Sequence, residues 1–285
     1  MKLLLVSLFL VFLFPLCVFA GEPVCIPGAG DQATQVCVAK NVGGYPSSVA
    51  LIFPAGLNRN LPIDWVIHFH GNTEVSKVET ILENYQLSQA INLSKRNAIL
   101  VVPFSPSDRQ RVGIANLYFK DRPERVQKFF EGLVEATGKQ EPRSIAFSSH
   151  SGGCYPLSSV LLSAVYASKI NELILLDSVY ILGNEINPTL DPPGVFARFG
   201  SEKGHRVWST YTEHNAGEGK NAHLMAALDQ PRGRCARGKW EGTFLYPTRD
   251  DLTRHSCGFV DLGKDGDIHD EHVKPLLGRL LRQSE

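Results

Sequence analysis

The sequence is short of several things, and each shortage removes a class of protein. There is no excess of either charge: 29 Lys and Arg stand against 29 Asp and Glu. An electrostatic nucleic-acid binder would carry a basic surplus, so no nucleic-acid partner is expected. There is no Cys-x-x-Cys, which excludes a zinc ribbon or a thioredoxin-type motif. No internal repeat, low-complexity tract or linker interrupts the chain. Only 20% of residues are charged and 43% are hydrophobic, an ordinary globular balance that leaves disorder and collagen-like architectures aside. After the first twenty residues no stretch is apolar enough to span a bilayer.

What is present begins with that N-terminal stretch. Met1-Lys2 is a short basic start, Leu3 to Phe14 is almost purely apolar, and Pro15 breaks the run ahead of Val18-Phe19-Ala20. The pattern reads as a secretory signal peptide over residues 1–20, too short for a membrane anchor, followed by a single domain over 21–285. The expected product is secreted or periplasmic, with no stable membrane insertion. Removal of Lys2 would leave a net charge of 28 − 29 = −1.

Export changes the meaning of cysteine. Five remain after Ala20, and their separations suggest Cys25–Cys37 and Cys235–Cys257 disulfides, with Cys154 a buried free thiol. Asn92-Leu93-Ser94 is a glycosylation pattern that matters only in a eukaryotic secretory pathway.

Periodicity organises the rest. Thr34 to Lys40 and Ser48 to Phe53 look like two early antiparallel strands. Apolar strands are expected at Trp65 to His70, Ala98 to Phe104, Ser144 to Ser149, Glu172 to Leu176 and Arg206 to Tyr211. Helices are expected at Glu79 to Leu93, Arg122 to Thr137, Gly153 to Ser168 and Val273 to Leu281. Continuous apolar strands alternating with amphipathic helices imply an α/β fold with a mostly parallel sheet covered on both faces. Asn184 to Pro193 and Asp229 to Asp267 read as long loops.

The most telling segment is Ile145-Ala146-Phe147-Ser148-Ser149-His150-Ser151-Gly152-Gly153. A strand runs into a tight turn of small residues and a helix follows. This resembles the nucleophile elbow of the α/β-hydrolase fold, with Ser149 where Gly is commoner. Two other segments strengthen the resemblance. Trp65-Val66-Ile67-His68-Phe69-His70-Gly71-Asn72 is similar to the strand and loop that give half of the oxyanion hole. Gly266-Asp267-Ile268-His269-Asp270-Glu271-His272 precedes the last helix, where that fold places its histidine.

The resemblance implies an α/β-hydrolase-fold serine hydrolase over roughly Trp65 to the C-terminus, close to a group of exported bacterial hydrolases, that cleaves an ester or amide bond through an acyl-enzyme. It implies Ser151 as nucleophile, backbone N–H donors from Asn72 and Gly152, and His269 as base, with His272 as the alternative. For the acid, Asp177 ends the apolar strand Glu172 to Leu176. Glu213 occupies the commoner position one strand later, and Asp261 and Asp267 remain open. No metal or organic cofactor is implied. The substrate would be a small molecule or peptide-like, and Arg109, Arg111, Lys120 and Arg122 either meet a carboxylate on it or form a solvated basic segment. Two other classes compete. His68 and His70 alternate along one strand and could ligate zinc, and the scaffold could serve a non-catalytic binding protein.

Overall fold

A computed structural model describes residues 22–26, 34–73, 77–106, 113–180, 191–216, 220–230, 233–241, 243–244, 255–263 and 273–281. The stretch read as a signal peptide lies outside them. The strands are β1 (Val24–Ile26), β2 (Gln35–Ala39), β3 (Val49–Phe53), β4 (Asp64–Phe69), β5 (Ala98–Pro103), β6 (Ile145–His150), β7 (Ile170–Leu176), β8 (Arg206–Tyr211), β9 (Ala236–Glu241), β10 (Thr243–Phe244) and β11 (Cys257–Asp261). Among the described residues they form one sheet in the order β1-β2-β3-β5-β4-β6-β7-β8-β11-β9-β10. The first three are antiparallel, and β3 joins β5 antiparallel. From β5 through β4, β6, β7, β8 and β11 to β9 every pairing is parallel.

The apolar-rich runs fit this geometry: β3 to β6 are buried at every residue, which requires cover on both faces. One core lies on the Trp65, Ile67 and Phe69 side of the sheet, beneath α3 (Ile114–Phe119), α4 (Pro123–Ala136), α5 (Cys154–Leu162), α6 (Pro192–Ser201) and α8 (Asn221–Leu228). The other lies on the Val66, Leu100 and Ile174 side, beneath α1 (Val78–Asn84), α2 (Leu87–Ser94) and α9 (Val273–Leu281). A four-residue helix, α7 (Glu213–Ala216), follows β8.

Three expectations need correction. The single helix read over Glu79 to Leu93 is two, broken at Gln86, which adopts φ 47°. At roughly 100° per residue, Ile81, Leu82 and Tyr85 would face away from Leu87, Ala90 and Ile91. The break rephases them so that both sets are buried. The helix after the elbow ends at Leu162, not Ser168, because Ala164 and Tyr166 turn with positive φ. The supposed loop from Asp229 to Asp267 carries β9, β10 and β11. Gly258 disguised β11, because glycine weakens a strand pattern. It is needed there, since a Cβ would stand 2.0 Å from the Trp208 ring. Likewise α6 opens on Pro192 and Pro193, whose fixed φ suits a first helical turn, with Asp191 accepting the Gly194 N–H at 3.1 Å.

Both expected disulfides are present, and Cys154 is free and buried. Cys25 and Cys37 are directly opposite each other in the β1–β2 pair. A buried ion cluster ties the amino ends of the central strands. Asp64 accepts from Arg96 at 3.1 Å and from Arg143 at 2.7 Å, and Arg96 also donates to Glu172 at 2.9 Å. No helix among the described residues is long and apolar enough to cross a membrane.

Candidate active site

The site is at the opposite, carboxyl ends of the strands. In parallel sheets, that rim is where chain leaving each strand can converge on a ligand. β6 passes from His150 into Ser151, where φ turns to 47°. A single 3-10 turn over Ser151–Gly153 leads into α5. A non-glycine residue at positive φ is strained by about 1–3 kcal/mol, which the surrounding packing must hold in place. Close packing does hold it. A Cβ at Gly153 would lie 2.1 Å from the Phe69 carbonyl oxygen, and one at Gly71 would lie 2.9 Å from the Ser151 Cβ. The Ser178 hydroxyl donates to the Ser151 carbonyl at 2.8 Å. The small residues around the elbow are therefore needed by β4 and its loop as much as by the turn itself.

The β4 loop meets the elbow directly. The position of a Cβ on Gly152 is 2.9 Å from three side-chain atoms of Asn72, so the two residues expected to give oxyanion donors are neighbours. His70 fixes that loop. Its Nδ1 donates to the Gly71 carbonyl at 2.6 Å, and its Nε2 accepts the Ser105 N–H at 2.7 Å. That pairing demands the neutral ring, and burial pushes its pKa down to about 4, against the Gly71 bond acting upward. His68 is wholly buried against Ser148 at 3.0 Å, with its pKa pushed to about 3 by burial first and by His70 second. With both nitrogens of His70 committed to backbone partners, the pair does not offer a two-histidine zinc site.

Asp177 follows β7 as Ser151 follows β6. In the β6–β7 register His150 pairs with Leu176, so the next residues, Ser151 and Asp177, leave the sheet side by side. Asp177 also has positive φ, at 45°, and is buried. Its Oδ1 accepts the Thr212 N–H at 3.0 Å and the Asn215 amide at 2.8 Å. Its Oδ2 accepts the Thr212 hydroxyl at 3.1 Å. Each of these donors suits an ionised carboxylate.

The other acids differ. Glu213 is exposed at the start of α7, and its backbone N–H donates to the Gly263 carbonyl at 2.9 Å. Asp261 ends β11 and accepts the Gly263 N–H at 2.8 Å. Asp267, His269 and His272 lie outside the described residues, on the segment between β11 and α9. β11 is parallel to β8, so its carboxyl end is on the same rim as Asp177.

Several participants escaped the sequence reading. Thr212, Asn215 and Ser178 hold Asp177 or Ser151, yet they sit on a strand end, a one-turn helix and a loop, where no periodicity marks them. Tyr180 is partly buried beside Asn215, Ser151 and Asp177. Burial, its largest influence, and the charge of Asp177 raise its pKa, against the polar side chains of Asn215 and Ser151 acting downward. Of the basic residues, Arg109 and Arg111 lie outside the described residues, and Arg122 is exposed beside Glu124. Asn92 gives its amide to Thr34 at 2.7 Å, a fixed structural contact.

The antiparallel start, the crossover from β3 to β5 and β4, and the strand–elbow–helix at β6 settle the architecture. This is the α/β-hydrolase fold. Solved structures agree with it. A structure of FAE matches with a TM-score of 0.56 at 15% identity, over 94% of this chain and 95% of the other. An S-formylglutathione hydrolase from Agrobacterium tumefaciens matches with a TM-score of 0.52 at 10% identity, over 92% and 98%. A serine-to-alanine mutant of the feruloyl esterase module from Clostridium thermocellum, complexed with sinapinate, matches with a TM-score of 0.50 at 14% identity, over 93% and 94%. No protein-family signature and no curated protein matches the chain.

Proposed function

We propose that the chain is an exported serine hydrolase that cleaves esters through an acyl-enzyme. The observation that carries this reading is Ser151 on a strained turn at the carboxyl end of a central strand, with Asn72 and Gly152 beside it. Ser151 Oγ attacks the substrate carbonyl while His269 takes its proton. The tetrahedral oxyanion receives the N–H groups of Asn72 and Gly152. His269 returns the proton to the departing alcohol, leaving an ester on Ser151. Water, deprotonated by His269, then releases the acid. Asp177 holds the imidazole tautomer throughout. The solved neighbours whose names include esterase or hydrolase support the ester chemistry, and the two disulfides support an oxidising compartment.

The test is turnover of 4-nitrophenyl acetate. Ser151→Ala is expected to reduce kcat/KM by at least about 10³-fold while the protein stays folded. Equal turnover by the variant would remove Ser151 from the mechanism.

A further inference from the structure

A small cavity borders the oxyanion loop, lined by Asn72 and Gly152 together with Ser105, Asn116, Tyr155 and Pro156. Its free volume is about 10 Å³, room for one water or one group of that size. Most of its polar wall is already bonded within the protein. His70 uses both ring nitrogens. Ser105 gives its N–H to His70, and its hydroxyl accepts the Ala115 N–H at 2.7 Å. Asn116 differs. It is 5% exposed, and its Oδ1 is buried with no hydrogen-bond partner among the described residues. A buried carbonyl left in this state is costly, so it marks a place for a donor.

We infer that this cavity is the acyl subsite, and that Asn116 selects esters of short 2-hydroxy acids. The inference rests on the serine-hydrolase reading above and names its substrate class. With the carbonyl oxygen between the N–H groups of Asn72 and Gly152, the proposal seats the acyl rather than the alkoxy substituent beside them, in the cavity that both residues border. The volume admits one further small substituent and no chain. A hydroxyl fits best, because it donates to Oδ1 and would equally accept from the amide nitrogen were the carboxamide turned over. Hydrolysis then adds water across the bond, giving the free 2-hydroxy acid and the alcohol.

The experiment compares kcat/KM for the 4-nitrophenyl esters of acetic, 2-hydroxyacetic and hexanoic acids, each corrected for its own hydroxide-catalysed rate. Wild type should favour 2-hydroxyacetate over acetate by about tenfold or more, since a site built to bond a hydroxyl discriminates strongly against its absence. Hexanoate should be slower than acetate. In Asn116→Leu, of similar volume, the hydroxyl preference should fall to about one. Wild-type Ser151 should be labelled by a fluorophosphonate, and the circular-dichroism spectrum and thermal midpoint of Asn116→Leu report whether the variant is folded. Equal corrected rates for acetate and 2-hydroxyacetate in wild type would overturn the inference, whether or not the variant folds. So would a hexanoate rate above that for acetate, or an unchanged preference in Asn116→Leu. Absent labelling of wild-type Ser151 would overturn the hydrolase reading as well, and so separates the two failures.

Discussion

Ser151 and Asp177 are neighbouring residues on one rim, each with a positive φ that its side chain disfavours. Strain of this kind persists only where neighbours hold it, and here the same contacts aim both side chains. Ser151 is held from below by Gly153 against Phe69 and from the side by Ser178. Asp177 is held by Thr212 and Asn215. The bonds to Asp177 argue for it over Glu213, which is exposed at the start of a short helix. Asp177→Asn should therefore lower kcat on an activated ester by on the order of 10⁴-fold while the protein remains folded, as expected for the acid that sets the imidazole tautomer. Glu213→Gln should change it little. A larger loss in Glu213→Gln, with both variants folded by circular dichroism, would move the acid to the position after β8. The turn at Ser151 was readable from sequence because steric crowding restricts its neighbours to small residues. The place of Asp177 at the end of β7 was readable because a carboxylate follows a mostly apolar run. Thr212, Asn215 and Asn116 were not, because their roles depend on strands and loops distant in sequence meeting in space.

At the scale of elements, β4 and its loop do the positioning, and two buried histidines set their chemistry. His68 and His70 are neutral in the folded protein, with pKa values of about 3 and about 4. The unfolded chain binds protons at these rings near the ordinary histidine value of about 6.5. Between that value and the folded ones the unfolded state holds more protons, so stability falls as pH falls. The contribution is complete above about pH 6.5, and by pH 4 the loss from His70 alone is on the order of 3 kcal/mol. Urea midpoints measured from pH 7.5 to 4.5 should decline steadily below about pH 6.5. A flat profile through that range would mean that these rings are not buried neutral. The elements themselves were legible wherever one period persisted, as in β5, α4 and β8. Sequence pattern failed at Gln86, where a turn rephases two helices, and at Gly258, where a close approach by Trp208 overrides strand propensity.

Across the whole molecule, the sheet separates stability from chemistry. The buried Asp64–Arg96–Glu172 cluster closes the amino ends of the strands, and the candidate site occupies the carboxyl ends. The disulfides fasten the two flanks, Cys25–Cys37 at the antiparallel start and Cys235–Cys257 beside β11, the strand that leads into the segment carrying His269. Alternation of apolar strands with helices was enough to give the parallel order, because burial on both faces leaves few other arrangements. The central claim is that this framework exists to present Ser151 as a covalent nucleophile. The most direct measurement is intact-mass and peptide-mapping mass spectrometry after exposure to a fluorophosphonate. One phosphonyl adduct on the peptide containing Ser151, absent from Ser151→Ala, is the predicted result. No adduct on correctly folded protein, or an adduct mapped to another serine, would contradict it.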